Sequence, residues 1–170
     1  MGEGGDMVKI GLVGLGYWGP NHLRVVQGSE RAQLKWICDA DPARLERFSS
    51  RTRATPSADL DQLLEDPDTD ALIISTPIST HFEIGKRALE AGKHVLIEKP
   101  MAGSSAEADE LIALADRMGL AIMCGHTFLF SPPVVAVKEL IDSGELGEIY
   151  FISSTRVNLG LHQPDLSVIW

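Results

Sequence analysis

The stretch that decides the fold is VKIGLVGLGYWG, Val8–Gly19, in which an apolar run leads directly into closely spaced glycines. The run predicts a buried strand, and Gly14, Gly16 and Gly19 fit the G-x-G-x-x-G spacing of a dinucleotide-binding turn that opens a helix. Gly14 permits the tight turn, Gly16 has no Cβ to keep the backbone from a pyrophosphate, and Gly19 lets the helix pack against the strand. The pyrophosphate would face the unpaired N–H groups of the helix N-terminus.

A carboxylate follows the second apolar run at the spacing that such a turn requires. The run Leu34–Cys38 is followed by Asp39, which lies 20 residues after Gly19. At this spacing, the second strand of a dinucleotide-binding unit places an acid on the ribose hydroxyls. A glycine loop followed by a capping Asp is the alternative, and strand, spacing and acid together favour ribose binding. Because a 2′-phosphate would meet the negative charge of Asp39, NAD is expected rather than NADP, although Arg44 lies near enough in sequence to swing over.

Length and composition indicate a globular chain without a membrane segment. The 170 residues suffice for one domain and part of another, and 44% apolar with 23% charged residues is ordinary for such proteins. The net charge of −9 disfavours nucleic acid as a partner. No run spans a bilayer and the first seven residues lack the apolar core of a signal peptide, so a cytoplasmic location is expected. Cys38 and Cys124 end apolar runs that resemble central strands and are predicted as buried thiols, neither disulfide-bonded nor metal-bound.

Strand and helix patterns alternate from Val8 to Cys124. Further strands are predicted at 71–75, 94–97 and 120–124, and helices at 18–27, after Asp41-Pro42, after a cap at Ser57, from a Thr80/Glu83 capping box to Ala91, and from a Ser104/Glu107 box to Met118. This alternation predicts an α/β fold, a doubly wound parallel sheet of Rossmann type with helices on both faces.

Ligands of such sheets bind beyond the carboxyl ends of the strands. The residues at those ends are Gly14–Gly19, Asp39, Ser75–Pro77, Glu98–Pro100 and Gly125–His126. Lys99, held at a strand end by the following proline, is predicted to be a positioned cation, and Glu98 is either a site residue or the structural partner of Lys99.

The character of the sequence changes after Gly125. We expect residues 1–125 to form the dinucleotide-binding domain and residues 126–170 to begin an incomplete second domain of α+β type, for substrate binding and oligomerisation. A helix opened by Ser131-Pro132-Pro133 and a strand over Gly147–Val157 are predicted there. An unpaired apolar edge of this kind predicts association or aggregation of the chain by itself.

Several motifs together resemble one enzyme family. They are Glu98-Lys99-Pro100, Ser75-Thr76-Pro77 with His81, Ala91-Gly92-Lys93-His94-Val95, Gly125-His126-Thr127-Phe128, and the segment Leu140–Gly147. With the glycine turn, they resemble the glucose–fructose oxidoreductase, inositol dehydrogenase and MocA family over nearly the whole chain. The resemblance implies an NAD-dependent oxidoreductase that transfers a hydride between nicotinamide and a ring hydroxyl of a sugar, sugar nucleotide or cyclitol.

The resemblance also assigns roles to individual residues. It implies that Lys99 is the catalytic residue and reaches the substrate hydroxyl, that the Lys99–Pro100 bond is cis, that Glu98 lies near the nicotinamide ribose, and that Arg156–Gln163 lie near the substrate pocket. Taken with the strand ends, the candidate cofactor-binding residues are Gly14, Gly16, Tyr17, Trp18, Gly19, Asp39, Ser75, Thr76, Pro77, His81, Glu98, Lys99 and His126.

Some of these residues have an equally good structural interpretation. His81 is a cofactor contact or a helix-start histidine, and His126 is a site residue or a polar core histidine. Trp18 covers the cofactor or packs on the second domain. His22, His94 and His162 are interpreted as structural or surface residues, and no spacing of histidines and cysteines suggests zinc.

Two other functions remain possible from the sequence. Members of the family continue past the equivalent of Trp170 into a motif with an Asp and a His for proton transfer. They also continue into a sheet that carries the subunit contacts, so a homo-oligomer is expected at full length. A non-catalytic dinucleotide-binding module is the alternative for the chain as it stands. A Rossmann-like methyltransferase ranks lower because Glu98-Lys99-Pro100 has no role there.

Overall fold

The computed structural model describes residues 7–155 and residue 157, and the chain divides into two compact units, residues 1–125 and 126–170. The first unit alternates strands and helices, and its elements are β1 (Val8–Val13), α1 (Gly19–Gln27), β2 (Ala32–Cys38), α2 (Pro42–Ser49), β3 (Thr55–Ser57), α3 (Asp61–Glu65), β4 (Ala71–Ile74), α4 (His81–Glu90), β5 (His94–Ile97), α5 (Ser105–Met118) and β6 (Ile122–Cys124). The second unit contains α6 (Pro132–Asp142).

All six strands lie parallel in one sheet, in the order β3-β2-β1-β4-β5-β6. The chain therefore moves outward in one direction from β1 to β3 and in the opposite direction from β4 to β6. The doubly wound parallel sheet predicted from the alternation is confirmed. Its switch point lies between β1 and β4, where the crevice for a ligand forms in sheets of this kind.

The core consists of two apolar layers, one on each face of the sheet. Leu12, Leu23 and Ile37 belong to one layer, and Ile74 and Leu89 belong to the other. Because helices cover both faces, the central strands are continuous apolar runs without the alternation of a half-exposed strand. The same helices leave the carboxyl ends of the strands accessible to a ligand.

The helix signals read from the sequence are confirmed at most positions. The carboxylate of Asp41 accepts a hydrogen bond from the amide of Ala43 at 2.9 Å and so caps α2. The hydroxyl of Ser104 accepts one from the amide of Glu107 at 3.2 Å and caps α5. Gly119 ends α5 in the left-handed region, at a φ of 65°, a conformation that glycine adopts without steric cost.

Two predicted caps are wrong because the side chains have other partners. Ser57 ends β3, a strand the sequence did not reveal, and its hydroxyl donates to the carbonyl of Asp59 at 2.9 Å. The hydroxyl of Thr80 bonds the hydroxyl of Thr76 at 2.7 Å, and a short 3₁₀ turn precedes α4 in place of a capping box. Local polar side chains compete for several backbone and side-chain partners, so a cap motif does not settle which one they choose.

Two predicted strands also require correction. The strand expected over Gly147–Val157 is absent, since residues 147–155 and 157 carry no strand. A strand needs a hydrogen-bonded neighbour, and none pairs with this segment in the described part of the chain. The last strand of the sheet is shorter than predicted and pairs with β5 on one side, so Cys124 is half-buried at an edge and does not lie in a central strand.

A network of polar contacts ties together the amino-terminal side of the sheet. The carboxylate of Asp66 accepts hydrogen bonds from the ammonium of Lys35 at 2.9 Å, from the indole of Trp36 at 2.6 Å and from the hydroxyl of Thr69 at 2.8 Å. The buried Lys93 donates to the backbone carbonyl of Asp66 at 2.7 Å. Burial acts to raise the pKa of the Asp66 carboxyl, but the hydrogen bonds from Lys35, Trp36 and Thr69 outweigh it and hold the pKa well below its usual range.

We expect Asp66→Asn to lower the free energy of unfolding by about 2 kcal/mol at neutral pH, because charge-assisted hydrogen bonds are lost. The folded-state pKa of Asp66 is depressed, so its contribution is present above pH 4 or so and is lost as the pH falls further. Urea denaturation at several pH values measures this. Asp109→Asn, on the exposed surface of α5, is the control; an equal loss in both variants would contradict the assignment.

Candidate functional site

The glycine turn after β1 lies directly against the end of β4. Gly14 has a φ of 95°, and a Cβ there would lie 2.7 Å from the carbonyl carbon and oxygen of Ser75. The hydroxyl of Ser75 donates to the carbonyl of Gly14 at 2.8 Å, and the amide of Ser75 donates to Val13 at 2.8 Å. A side chain at position 14 is therefore excluded both by backbone conformation and by space.

The other two glycines have different surroundings. A Cβ on Gly19 would lie 2.3 Å from the carbonyl oxygen of Gly14, so the first residue of α1 packs on the turn itself. A Cβ on Gly16 would meet only the guanidinium of Arg44, at 3.7 Å. The backbone at Gly16 is thus open to an approaching ligand, as a pyrophosphate requires, whereas Gly19 serves packing.

The start of α1 suits an anion. Trp18 precedes the helix without a side-chain cap, and no acidic residue lies in the first turn. Within the helix, Pro20 has no N–H, and the amides of Asn21 and His22 donate to the carbonyl of Trp18 at 2.9 and 3.2 Å. The amides that remain for phosphate oxygens are those of residues 16–19. Tyr17 and Trp18 are exposed beside them, with ring centroids 6.0 Å apart in an edge-to-face contact. Their rings can cover a bound dinucleotide, and this role stays a prediction.

Asp39 joins the end of β2 to the glycine turn. Its carboxylate is buried and accepts hydrogen bonds from the amide of Leu15 at 2.7 Å and from the amide of Asp41 at 2.9 Å. The guanidinium of Arg44 lies 3.6 Å from the same carboxylate and 3.4 Å from that of Asp41. Asp39 is therefore held beside the glycine turn with Arg44 next to it, and its binding of a ribose stays a prediction.

The segment after β4 is tied down by a buried histidine. His81 is 2% exposed, with one ring nitrogen 2.8 Å from the carbonyl oxygen of Thr76 and the other 2.8 Å from that of Pro100. Both nitrogens thus have backbone partners, which favours the structural interpretation. Thr76 is half-buried and Pro77 is exposed, in the turn before α4.

Glu98 and its neighbours form the remaining part of the site. The carboxylate of Glu98 is buried; one oxygen lies 2.8 Å from Nε2 of His22 and the other accepts from the amide of Lys99 at 3.2 Å. Burial acts to raise the pKa of Glu98, but the contacts with His22 and Lys99 outweigh it, so the pKa lies below its ordinary value. Lys99 is exposed, and its peptide bond to Pro100 is cis.

His22 is the residue that sequence reasoning missed, since the sequence favoured a structural or surface role. It lies three residues after Gly19, on the first turn of α1, and reaches a carboxylate 76 positions later. Its position just after the glycine turn could have indicated a role at the site, because that end of α1 faces the carboxyl ends of the strands.

At the carboxyl ends of the strands, the structure thus brings together Gly14, Asp39, Ser75, Glu98 and His22. His126 begins the second unit, and its carbonyl accepts from the amide of Leu129 at 3.0 Å, so its cofactor role stays a prediction. The predicted pocket segment Arg156–Gln163 lies outside the described residues except for Val157.

Neither cysteine contributes a reactive thiolate to the candidate site. Burial raises the pKa of the Cys38 thiol to about 11, with the charge of Asp39 adding to the effect, and burial also raises the pKa of Cys124. Both thiols therefore stay protonated at neutral pH, and neither forms a disulfide. Over residues 7–155 and 157, no group of three His, Cys, Asp or Glu residues could hold a metal ion.

Comparison with known proteins gives consistent matches. The model of an oxidoreductase family with an NAD-binding Rossmann fold matches residues 8–126. A 1-carboxy-3-chloro-3,4-dihydroxycyclohexa-1,5-diene dehydrogenase from Comamonas testosteroni is 37% identical over 92% of this chain and 40% of its own length.

Two solved structures resemble the fold closely. GenD2 from gentamicin A biosynthesis, in complex with NAD, has a TM-score of 0.80 and 29% identity over 85% of this chain and 41% of its own. KijD10, a 3-ketoreductase from Actinomadura kijaniata in complex with NADP and TDP-benzene, has a TM-score of 0.76 and 31% identity over 82% and 43%. The chain therefore spans less than half the length of these proteins.

We expect Gly16→Ala to leave the fold intact and to weaken NAD binding by about tenfold or more, because the added methyl group stands where a phosphate approaches. Titration with NAD, followed by tryptophan fluorescence, measures the affinity. Gly28→Ala is the matched control, since Gly28 ends α1 at an ordinary φ of −87°. Unchanged NAD affinity in Gly16→Ala would place the phosphates elsewhere.

A second prediction concerns the choice between the two nicotinamide cofactors. Asp39→Asn keeps an oxygen for the amide of Leu15 but removes the negative charge that opposes a 2′-phosphate, so the preference for NAD over NADP should fall about tenfold. Both dissociation constants are measured by titration. Asp41→Asn, which removes the other carboxylate beside Arg44, serves as the control and should keep the preference. A preference unaffected by Asp39→Asn would remove Asp39 from cofactor selection.

Proposed function

Because the chain belongs to the glucose–fructose oxidoreductase, inositol dehydrogenase and MocA family, we propose that it is the NAD-binding part of a dehydrogenase acting on a ring hydroxyl. The substrate class is a sugar, a sugar nucleotide or a cyclitol. The observation that carries the proposal is Lys99, which follows β5 at the same edge of the sheet as the glycine turn and Asp39.

Residues 8–126 match an NAD-binding Rossmann fold, and the proposal assigns to particular residues the task of holding NAD. The amides of residues 16–19 would bind the pyrophosphate, and the open backbone at Gly16 would let it approach. Asp39 offers acceptors to the adenosine ribose. When bound, the cofactor supplies hydride transfer at its nicotinamide ring, and the protein supplies binding and orientation.

The proposed role of Lys99 is electrostatic. Its ammonium group would donate a hydrogen bond to the oxygen of the reacting carbon and stabilise the negative charge that develops there, an effect worth about 3 kcal/mol in comparable sites. The Lys99 side chain is exposed, while the residues on both sides of it are bonded to the rest of the fold. A cation on an anchored backbone can reach a substrate without being buried.

The substrate class rests on the named chemistry of the relatives. One is a dehydrogenase of a dihydroxylated carbocycle, and another is a 3-ketoreductase with a TDP-linked ligand bound. The two names describe a dehydrogenase and a ketoreductase, and this pairing supports a proposal of hydride transfer at a carbon that bears a hydroxyl. No helix within the described residues is long and apolar enough to cross a membrane, and the cytoplasmic location and homo-oligomeric state stay predictions.

We expect Lys99→Met to retain NAD binding and to lose turnover by about two orders of magnitude, because the charge that stabilises the transition state is removed. NADH absorbance, with a panel of sugars, sugar nucleotides and cyclitols, measures turnover in the protein at the full length typical of these relatives. Lys86→Met is the matched control, a surface lysine of α4 paired with Glu110 at 2.8 Å. Near-normal turnover in Lys99→Met would remove Lys99 from the mechanism.

A further inference from the structure

We propose that His22 and His81 are positioning residues that hold the two ends of the segment Glu98-Lys99-Pro100 and thereby set the place of Lys99. This inference rests on the proposed function in one respect, namely that the position of Lys99 matters for its proposed role at the substrate oxygen. The two histidines come from different helices, α1 and α4, and lie 76 and 19 positions from the residues they bond. Neither needs to touch substrate or cofactor to have this effect.

The first anchor acts through the carboxylate of Glu98. Nε2 of His22 lies 2.8 Å from one carboxylate oxygen, and both side chains are largely buried, 18% and 9% exposed. The other oxygen accepts the backbone amide of Lys99 at 3.2 Å. The carboxylate therefore connects an imidazole on α1 to the peptide group that begins Lys99.

The space around this carboxylate leaves it little freedom. A Cβ on Gly125, at the end of β6, would lie 3.3 Å from the carboxyl carbon and from both oxygens of Glu98. The amide of Glu98 itself donates to the carbonyl of Ile74 at 2.9 Å. Once His22 fixes the side chain, the direction in which the chain leaves β5 is fixed as well.

The second anchor acts on the other side of Lys99. One ring nitrogen of His81 lies 2.8 Å from the carbonyl oxygen of Pro100, and the other lies 2.8 Å from that of Thr76. A carbonyl oxygen only accepts hydrogen bonds, so a ring with one N–H donates to one of the two carbonyls and a ring with two N–H groups donates to both. In both cases the buried ring lies between the segment after β5 and the turn after β4, in contact with a carbonyl of each, and so holds their separation.

This arrangement links Lys99 to the cofactor site through rigid elements. The helix that carries His22 begins at the glycine turn, and the turn that His81 holds follows Ser75, which bonds Gly14. The distance between the pyrophosphate site and Lys99 is therefore set by the same contacts that shape the turn. Such precision matters because a displacement of about 1 Å can cost about a hundredfold in rate.

Amide hydrogen exchange in the segment that contains Lys99, measured by mass spectrometry on the protein at the full length typical of these relatives, tests the first anchor without any substrate. We expect His22→Leu to speed exchange of the Lys99 amide by about tenfold or more, because the Glu98 carboxylate that accepts it is no longer held. His22→Gln should restore most of the protection, since its side-chain amide can donate to Glu98. His81→Phe, which keeps a ring of similar size without nitrogen, should also speed exchange at Lys99.

The control is His94→Gln, at the opposite end of β5 from Glu98, whose ring accepts the amide of Ala121 at 2.9 Å. It should leave exchange at Lys99 unchanged, and the core amides of β4 should stay protected in every variant. The inference is overturned if His22→Gln behaves like His22→Leu, if His94→Gln speeds exchange at Lys99 equally, or if neither His22→Leu nor His81→Phe changes it.

A double-mutant cycle separates this inference from the proposed function. In the full-length enzyme, His22→Leu should lower kcat at saturating NAD about tenfold when Lys99 is present and have no further effect in the Lys99→Met background. A Lys99→Met variant with normal turnover would refute the proposed function while the exchange data still decide the positioning role. Equal losses in both backgrounds would refute positioning through Lys99.

Discussion

The structure depends on one close contact, the packing of the glycine turn against the end of β4. Gly14 and the backbone of Ser75 approach so closely that a Cβ would lie 2.7 Å from carbonyl atoms. Gly19 packs on the carbonyl of Gly14 more closely still. Because β1 and β4 are the strands at which the sheet changes direction, this contact fixes both sides of the switch point. The start of α1 and the turn before α4 take their positions from it.

The amino-terminal and the carboxyl-terminal ends of the strands carry the same kinds of side chain but use them differently. At the amino-terminal side, the carboxylate of Asp66 accepts hydrogen bonds from the side chains of Lys35, Trp36 and Thr69. At the carboxyl side, Asp39 and Glu98 are bonded mainly by backbone amides and a histidine, and a cation lies next to each of them. The first arrangement suits stability, because its polar groups are satisfied internally, whereas the second lies beside the exposed Lys99 and the glycine turn, where a ligand is proposed to bind.

Where sequence reasoning failed, the failure has a common cause. Ser57 and Thr80 resemble helix caps in a short window, but their hydroxyls bond other local partners. The predicted strand over Gly147–Val157 has a strand-like composition and no strand beside it in the described residues. In each case a local pattern was correct about residue type, and the available partners decided the structure.

The sequence by itself determined the parallel α/β fold, the glycine turn, most helix ends and the family. These features follow from short windows: apolar runs of strand length, the lack of a Cβ at Gly14 and Gly19, and side chains such as Asp41 that bond the next few amides. Only the tertiary structure decided that His22 bonds Glu98 and that the ring of His81 lies between the carbonyls of Thr76 and Pro100. Such contacts join separate elements whose distance and orientation are set by the packing of the whole sheet, and no local spacing encodes them.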